Sequence, residues 1–458
     1  MNFLRVKQIH FVGIGGIGMS GLAELLKTVG LRVTGSDAKE TEVTQRLVAL
    51  GVPIFSGHRS DHVAGADVVV YSSAVHEDNA EVAAARAAGI PVIKRAEMLA
   101  EVMRFKRGIA IGGTHGKTTT TSMTGAVLLA AGFDPTIIVG GRMRDVGNAR
   151  LGRGEWCVAE ADEYDRSFLE LRPILAVVTN VDLEHLDTYR DLADLKETFA
   201  RFARSVPFFG AALLGLDDPN VQEIRPLVGR RVVTYGLTPQ ADVTARDLAL
   251  ERTSSRFWAV ADGTVLGPVT LPLPGLHNVK NALAALAVAR ELEIPFLVSA
   301  RALSGFRGVI RRFEKKGERG GVLVYDDYAH HPTEVAATLS AARQAYPERR
   351  VVVLFQPHLY SRTRDFSASF GAAFLAADVL LVAPVYGSRE APIEGVTGAL
   401  VADAATSRGH RHSRFLKSRD ELLPALEETL RDGDLLVTMG AGDILHVGEE
   451  WLEKGKGA

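Results

Sequence analysis

The chain has 458 residues, too many for a single hydrophobic core, because domains usually hold roughly 100 to 200 residues. Its 53 Lys and Arg residues nearly balance 55 Asp and Glu residues, giving a formal net charge of -2, so no overall positive field exists to hold a nucleic acid. A composition that is 47% hydrophobic and 24% charged is typical of globular proteins and excludes a disordered or fibrous chain.

Cysteine usage and hydropathy bear on the cellular location. Cys157 is the only cysteine and cannot form an internal disulfide, which fits a reducing compartment. Arg5 and Lys7 precede an apolar stretch, as in a signal peptide, but glycines at positions 13, 15, 16 and 18 interrupt that stretch. No window of about 20 uncharged apolar residues occurs. We therefore expect a cytoplasmic protein with no membrane span.

Short β-rich segments alternate with Ala- and Leu-rich helical patterns near the start of the chain. The pattern predicts a helix at Leu22 to Val29 and strands at Gln8 to Val12, Leu31 to Gly35, Asp67 to Tyr71 and Val92 to Lys94. Such alternation is typical of βαβ units on a parallel sheet. We assign residues 1–105 to a Rossmann-like domain.

A glycine-rich turn follows the first strand and matches G-x-G-x-x-G from Gly13 to Gly18. Asp37 comes directly after the second strand. Glycines let the backbone approach a pyrophosphate at a helix N-terminus, and the acid can hold ribose hydroxyls. The motif does not separate NAD from another diphosphate such as a UDP-sugar, and a purely structural turn is the alternative.

A second series of strands begins at Gly108. Strands are predicted at Ile109 to Ile111, Thr136 to Val139, Trp156 to Ala159, Ile174 to Thr179, Ala211 to Leu214 and Val232 to Tyr235. Strand and turn patterns between Val243 and Leu273 predict an antiparallel flank, and the helix Ala282 to Leu292 follows. We assign residues 106–308 to this central domain.

A third α/β series completes the chain. A helix is predicted at Thr333 to Ala345, and strands are predicted at Val322 to Tyr325, Val351 to Phe355, Val379 to Val382 and Leu435 to Thr438. We assign residues 309–458 to a second Rossmann-like domain. The predicted fold class is therefore α/β, in three domains.

The loop after the strand ending at Ile111 runs from Gly112 to Thr119 and ends in G-K-T before a helix. It departs from the Walker A pattern, which places a glycine where this chain has Ile111. The physical parts are present: amides to cradle phosphates, Lys117 for the β and γ oxygens, and the Thr118 hydroxyl for Mg²⁺. We expect a P-loop ATPase domain, with a structural glycine turn as the alternative.

Two further strand ends carry acids and a histidine. Glu160, Asp162 and Glu163 follow one strand, and Asn180 and His185 follow another. Ligands gather at the carboxyl ends of parallel strands, so these residues should face the phosphates. Oxygen ligands suit Mg²⁺ or Mn²⁺, and an imidazole is acceptable for a second metal. A solvated acidic loop is the alternative for Asp162 and Glu163.

Seven motifs in chain order resemble the Mur ligase family, and the resemblance covers essentially the whole chain. The matching segments are G-T-H-G-K-T-T-T-T from Gly113, E-A-D-E-Y-D-R-S-F-L from Glu160, T-N from Thr179 with the later His185, H-N-V-K-N from His277, R-R-F from Arg311, D-D-Y-A-H-H-P from Asp326 and F-Q-P-H from Phe355. The glycine-rich start, the H-H-P-T-E segment and F-Q-P-H-x-Y-x-R-T are similar to those of members that attach L-alanine.

This resemblance, together with the motifs, implies roles for individual residues. An ATP site is expected at Gly113, Thr114, His115, Gly116, Lys117, Thr118, Thr119, Asn278, Asn281, Arg312 and Asp327. A metal site is expected at Thr118, Glu160 and His185. Substrate binding is expected at Gly13, Gly15, Gly16, Gly18, Ser36, Asp37, Ser72, Ser73 and His330. Catalytic roles are expected for Lys117, Glu160, Asn180, His185, His331, His358 and Arg362.

Some of these residues have other interpretations. Asn278 could simply cap the helix that follows it. The acids and histidines between Asp326 and Glu334 could bind a metal on their own. This chain also departs from the family pattern at two positions, with Glu184 where many members have Asp and Leu359 where some have Arg.

The resemblance implies ATP-dependent ligation of L-alanine to UDP-N-acetylmuramate through an acyl phosphate, with ADP and phosphate released, in peptidoglycan precursor synthesis. ATP and Mg²⁺, or Mn²⁺, are the expected cofactors, and the enzyme is expected to be a monomer or homodimer. A murein-recycling ligase that attaches a preformed peptide to the same sugar is the nearest alternative. An NAD-dependent oxidoreductase and a non-catalytic nucleotide switch are more distant ones.

Overall fold

The computed structural model describes residues 4–72, 74–144, 147–388 and 390–454. The chain divides into two compact units. The large unit comprises Met1–Leu248, Arg256–Pro272 and Asn278–Arg307, and the small unit comprises Ala249–Ser255, Leu273–His277 and Gly308–Ala458. Among the helices described, none is both long and apolar enough to cross a membrane. The domain boundaries at 105/106 and 308/309 stay predictions.

The first sheet of the large unit has five strands. They are β1 (Gln8–Val12), β2 (Arg32–Asp37), β3 (Ile54–Ser56), β4 (Val68–Tyr71) and β5 (Val92–Lys94). Their order is β3-β2-β1-β4-β5 with parallel pairing throughout, which is the Rossmann strand order without its sixth strand. The accompanying helices are α1 (Ile17–Thr28), α2 (Glu42–Ala49), α3 (Ala80–Ala87) and α4 (Arg95–Arg104).

The second sheet of the large unit has ten strands. They are β6 (Arg107–Gly112), β7 (Thr136–Met143), β8 (Gly147–Arg150), β9 (Trp156–Glu160), β10 (Leu175–Val178), β11 (Ala211–Gly215), β12 (Val232–Tyr235), β13 (Val243–Leu250), β14 (Ser255–Ala261) and β15 (Thr264–Leu271). Their order is β15-β14-β13-β12-β11-β10-β6-β9-β7-β8. Strands β6, β9, β10, β11 and β12 pair in parallel, and β7 pairs with β8 antiparallel.

The helices of this second sheet are α5 (Lys117–Ala130), α6 (Leu192–Arg204), α7 (Pro219–Ile224), α8 (Leu276–Glu291) and α9 (Phe296–Ser304). Helix α5 is unusual because its buried face is rich in hydroxyls rather than aliphatic side chains. Thr121 donates to the carbonyl of Lys117 at 2.8 Å and Ser122 to that of Thr118 at 2.7 Å. These bonds satisfy hydroxyls that would otherwise be costly to bury.

The small unit holds the third sheet, of six strands. They are β16 (Glu314–Arg319), β17 (Val322–Asp327), β18 (Arg350–Phe355), β19 (Val379–Val382), β20 (Ser413–Phe415) and β21 (Asp434–Met439). Their order is β16-β17-β21-β18-β19-β20, with only β16 antiparallel among the described pairs. The helices are α10 (Pro332–Ala345), α11 (Tyr360–Ala373), α12 (Ala399–Ser407), α13 (Leu422–Thr429) and α14 (Leu445–Glu453). Apolar clusters cover both faces of this sheet.

The three sheets confirm the predicted α/β class, and their parallel strands decide where the candidate site lies. Gly13 follows β1, Asp37 ends β2, Gly113 follows β6, Glu160 ends β9 and Thr179 follows β10. Each of these positions is the carboxyl end of a parallel strand, where open α/β sheets bind their ligands.

Candidate active site

The glycine-rich turn after β1 is tied to the end of β2 by its own amides. Gly13 adopts a positive φ of 77°, and the N–H groups of Gly13 and Ile14 donate to the carbonyl of Ser36 at 2.9 and 3.0 Å. The N–H of Gly15 donates to the Asp37 carboxylate at 2.8 Å. A side chain on Gly15 would collide with that carboxylate, with its Cβ 2.8 Å from Oδ2.

The remaining predicted sugar-site residues lie around this turn. Gly16 is the N-cap of α1 and Gly18 lies in its first turn. A Cβ on Gly13 would come within 3.3 Å of Ser72, which follows β4. Ser73 lies outside the described residues.

A buried carboxylate supports the Ser36 end of the turn. Glu81 on α3 is fully buried and accepts hydrogen bonds from Ser36 Oγ at 2.5 Å and from His62 Nδ1 at 2.6 Å. His10 and His58 lie 3.6 and 3.3 Å from the same carboxylate. Burial alone would raise the pKa of Glu81, but the histidines and Ser36 outweigh it and bring the pKa down to about 2.

The loop after β6, which is predicted to bind phosphate, is held in place by residues that follow β10. Gly113 and Gly116 adopt φ values of 127° and 82°, and a Cβ on Gly113 would overlap Thr179 Oγ1 at 1.9 Å. The side chain of Asn180 accepts from the N–H of His115 at 2.8 Å and donates to its carbonyl at 3.0 Å. Thr114 donates its N–H to the Asn180 carbonyl at 3.0 Å. Asn180, predicted to be catalytic, therefore holds the loop in shape.

Lys117 is folded back onto its own loop in this structure. Its Nζ donates to the carbonyls of Gly113 and Thr114 at 2.6 and 3.0 Å and lies 2.8 Å from Glu163, which is 1% exposed. Burial lowers the pKa of Lys117, but the carboxylates of Glu163, Asp162 and Glu160 outweigh burial and raise it. The ammonium is therefore kept charged, as phosphate binding requires.

Two of the three predicted metal ligands touch each other. Thr118 Oγ1 donates to Glu160 Oε1 at 3.2 Å, and the other Glu160 oxygen accepts from the N–H of Gly140 at 2.7 Å. This hydroxyl and carboxylate offer the hard oxygen donors that suit Mg²⁺.

The third predicted ligand, His185, groups with other acids. It adopts a positive φ of 54°, and its ring lies 3.7 Å from the Glu163 carboxylate. Ligand atoms of Glu163, Glu184 and His185 all lie within 4.8 Å of one another. Two carboxylates and one imidazole form a donor set that fits a divalent cation.

A cavity of about 150 Å³ opens beside Glu160 in the large unit. Its lining comes from helices α1 and α4, from strands β7 and β9 and from the segment after β9: Gly18, Arg95, Ile138, Val139, Gly140, Glu160 and Asp162. Arg95, at the start of α4, lies 3.3 Å from Asp162 and supplies the cationic group among these residues. The cavity thus joins the glycine-rich helix α1 to the Thr118–Glu160 pair.

The two asparagines expected near the nucleotide lie on α8. Asn281 Oδ1 accepts from Thr120 Oγ1 at 3.1 Å and would lie 2.7 Å from a Cβ on Gly116, so it borders the loop. Asn278 is the third residue of α8, which begins at Leu276. The alternative that Asn278 caps the helix is therefore wrong.

In the small unit, Asp327 and Arg312 flank the end of β17. Asp327 accepts hydrogen bonds from the N–H groups of Ala329 and Phe313, each at 2.8 Å. Each of its two carboxylate oxygens is therefore bound to a nearby backbone amide. Burial raises its pKa to about 6, against the lowering effect of Arg312. The Arg312 guanidinium lies 3.7 Å from Glu334 and 5.4 Å from the centre of the Tyr328 ring.

Four residues predicted to bind substrate or to act in catalysis lie near the N-terminus of α10: His330, His331, His358 and Arg362. His330 packs edge-on against His358, with ring centres 5.7 Å apart, and Arg362 Nη1 donates to His358 Nδ1 at 3.0 Å. His331 is the N-cap of α10 and is 3% exposed. Leu359 precedes α11 at a φ of 68°, a strained conformation for a branched residue.

Comparison with known proteins shows which family has this succession of domains. Three family models match in chain order: the Mur ligase family catalytic domain at residues 8–107, the Mur ligase middle domain at 111–289 and the Mur ligase glutamate ligase domain at 311–442. The chain belongs to the Mur ligase family. Membership makes it an enzyme of the ligase class, and the family resemblance drawn from the seven sequence motifs is confirmed.

Individual Mur ligases resemble the chain over nearly its full length. It is 52% identical to a UDP-N-acetylmuramate--L-alanine ligase of Desulfatibacillum aliphaticivorans, over 97% of this chain and 98% of that one. A ligase of the same name from a Geobacter species is 53% identical over 99% of each chain. The crystal structure of the UDP-N-acetylmuramate-alanine ligase MurC of Thermotoga maritima superposes with a TM-score of 0.83, at 32% identity over 98% of this chain and 99% of that one.

A murein peptide ligase is also similar, although less so. The enzyme from Psychrobacter arcticus has a TM-score of 0.74 and 25% identity over 98% of each chain. Both lower values favour the amino-acid ligases as the nearer Mur ligase relatives.

Two site residues escaped the sequence analysis. Arg95 begins an ordinary amphipathic helix, and Glu81 lies in an Ala-rich one. Their partners, respectively Asp162 and Ser36, are 67 and 45 residues away in the chain. The sequence indicates Glu334 only as a member of a possible metal cluster, whereas the structure pairs its carboxylate with the N–H of His330.

Proposed function

We propose that the enzyme joins L-alanine to UDP-N-acetylmuramate at the expense of ATP. The names of the relatives at 52% and 53% identity support this substrate pair. The observation that carries the proposal is the cavity between α1 and Glu160, since its lining includes Gly18 of the glycine-rich motif and Glu160, which is hydrogen-bonded to Thr118. A carboxylate substrate and a triphosphate would meet there.

Different residues of the chain bind the UDP moiety, the sugar carboxylate and ATP. The N-terminus of α1, Ser36 and Asp37 hold the UDP moiety. Arg95 binds the sugar carboxylate in the cavity. When ATP binds, Lys117 leaves Glu163 and contacts the γ-phosphoryl oxygens instead. Positioning and charge neutralisation are the main contributions that phosphoryl transfer needs from a protein.

A divalent cation, Mg²⁺ or Mn²⁺, fits the donors near the loop. Thr118 and Glu160 would hold one cation, and His185 with Glu163 or Glu184 would hold a second. When bound, such cations neutralise developing charge on the phosphate oxygens. The choice of metal stays a prediction.

The product of the first step is an acyl phosphate, because a free carboxylate has no adequate leaving group for attack by an amine. The small unit then supplies the amino-acid site, at His330, His358 and Arg362. We place the reaction in the cytoplasm, where ATP is available, in agreement with a buried lone cysteine.

Phosphate release from ATP and UDP-N-acetylmuramate, scanned across free amino acids, tests this function. We expect strong preference for L-alanine over glycine and L-serine. Incubation with a preformed tripeptide tests the murein-recycling alternative, for which the 25% identity of the Psychrobacter arcticus enzyme is the supporting observation. Faster turnover with the tripeptide than with L-alanine would overturn the proposal.

A further inference from the structure

The three histidines near the start of α10 differ in which ring nitrogen carries a proton. His330 Nδ1 lies 2.9 Å from the carbonyl oxygen of Tyr328 and 3.3 Å from a carboxylate oxygen of Glu334. Both neighbours only accept hydrogen bonds, so Nδ1 must be the donor. In its neutral form, His330 therefore carries its proton on Nδ1 and its lone pair on Nε2.

The other two histidines have the opposite tautomer. His358 Nδ1 faces Arg362 Nη1 at 3.0 Å, and a guanidinium only donates. His331 Nδ1 accepts from the N–H of Thr333 at 3.4 Å as the cap of α10. Both neutral rings therefore carry their proton on Nε2, which makes that atom a donor and not a base.

We propose that His330 Nε2 is the base that accepts a proton from the ammonium group of the incoming amino acid, with Glu334 as its positioning residue. The proposal deepens the ligase function and rests on it. Glu334 also accepts from the N–H of His330 at 3.1 Å, so it fixes the backbone, while the carbonyl of Tyr328 fixes the ring through Nδ1. The Glu334 carboxylate, 3.3 Å from Nδ1, also stabilises the imidazolium that forms.

The neighbouring residues suit the rest of an α-amino acid. Arg362 and the Nε2–H of His358 are both donors, and they are the groups that would hold its carboxylate. The rings of His330 and His358 are 5.7 Å apart, centre to centre. In an α-amino acid, one carbon atom separates the carboxylate from the amine. Binding of the carboxylate at His358 therefore places the amine near His330.

The proton and electron balance of the step is complete. The ammonium nitrogen loses one proton to His330 Nε2 and becomes a nucleophile. Its lone pair forms the C–N bond at the acyl carbon, and the C–O bond to phosphate breaks with its electron pair leaving on phosphate. The nitrogen then loses a second proton, which the departing phosphate takes up, and His330 returns its proton to solvent.

Hydroxylamine provides a test, because its nitrogen is largely unprotonated at neutral pH and can attack an acyl phosphate without a base. The full-length enzyme is incubated with ATP, Mg²⁺ and UDP-N-acetylmuramate, and with either L-alanine or hydroxylamine. The variants are His330→Gln, Glu334→Gln and, as matched control, His446→Gln. The control breaks an exposed His–Glu pair, in which His446 lies 3.1 Å from Glu449.

For His330→Gln we expect kcat with L-alanine to fall by about 100-fold, the usual contribution of a general base, while hydroxamate formation stays within about threefold of wild type. Glu334→Gln should lower the L-alanine rate less and leave hydroxamate formation unchanged. The control should match wild type in both reactions.

Three results would overturn the assignment. One is retention of kcat with L-alanine in His330→Gln, including a rise in KM alone, which would make His330 a binding residue. The second is equal loss of amide and hydroxamate, which would place its role before the amine step. The third is a wild-type enzyme that forms neither amide nor hydroxamate from UDP-N-acetylmuramate, which would refute the substrate assignment on which the proposal rests.

Discussion

The contact between Lys117 and Glu163 predicts a large and specific loss of stability when only the lysine is removed. Glu163 is 1% exposed and its carboxylate lies 2.8 Å from Lys117 Nζ. Breaking a buried ion pair from one side leaves the other charge uncompensated, at a cost of about 3–5 kcal/mol. We expect Lys117→Met to lose about this much free energy of unfolding at neutral pH, and Lys117→Met/Glu163→Gln to recover most of it.

The free energy of unfolding that Lys117→Met loses should be larger at high pH than at low pH. Burial raises the pKa of the Glu163 carboxyl, and removal of Lys117 takes away the main opposing charge. The folded variant then binds a proton more tightly than the unfolded chain does, so its stability falls as pH rises through the raised pKa. The deficit should therefore be smaller at pH 5 than at pH 8, and the double variant should not show this trend.

Equilibrium urea unfolding measures the deficit, with tryptophan fluorescence as the signal. Trp156 lies in β9 beside β6, whereas Trp258 and Trp451 lie elsewhere. A Trp258→Phe/Trp451→Phe background therefore reports on the core that carries the loop. A loss below about 1 kcal/mol for Lys117→Met, or a double variant as unstable as the single one, would refute the reasoning.

Three further measurements test separate parts of the site. Lys117→Met should abolish ADP formation and leave UDP-N-acetylmuramate binding nearly intact by calorimetry; equal loss of both would contradict the division of roles. Arg95→Ala should raise KM for UDP-N-acetylmuramate by about tenfold or more, as expected when about 1.4 kcal/mol of binding is lost, whereas an unchanged KM would exclude Arg95 from the carboxylate site. The low pKa of Glu81, about 2 against an ordinary 4.5, corresponds to about 3 kcal/mol of stability that is present above pH 4.5 and lost as pH falls towards 2. The Glu81→Gln variant should therefore have a lower free energy of unfolding at neutral pH, and this free energy should change less than that of wild type as the pH falls. Parallel curves of unfolding free energy against pH for the two proteins would contradict this explanation.

Much of the fold was predictable because parallel strands are short apolar runs that end in functional residues. Strand β1 was predicted at its observed bounds, and the loop from Gly113 was placed after the correct strand. The three-residue edge strand β5 begins with two β-branched residues and was predicted at its observed bounds, but the equally short β3 and β20 lack a clear period and were missed. Their pairing depends on tertiary contacts that no local pattern records.

The site was less predictable than the fold, because sequence motifs indicate residues and not their partners. The sequence indicates Thr118, Glu160 and His185 as metal ligands and allows the imidazole a second metal, and in the structure the ligand atoms of His185 lie within 4.8 Å of those of Glu163 and Glu184. The family resemblance implies catalytic roles for His331 and His358 and a substrate-binding role for His330, whereas hydrogen bonding favours His330 as the base for the amine. A tautomer depends on neighbouring donors and acceptors, which only three-dimensional coordinates identify.

The transfer of oxygen from substrate carboxyl to phosphate tests the central claim most directly. UDP-N-acetylmuramate labelled with oxygen-18 in its carboxyl group is incubated with enzyme, ATP and L-alanine, and the released inorganic phosphate is analysed by mass spectrometry. An acyl phosphate intermediate predicts one labelled oxygen in each phosphate formed. Phosphate without label, formed together with the amide product, would contradict the account.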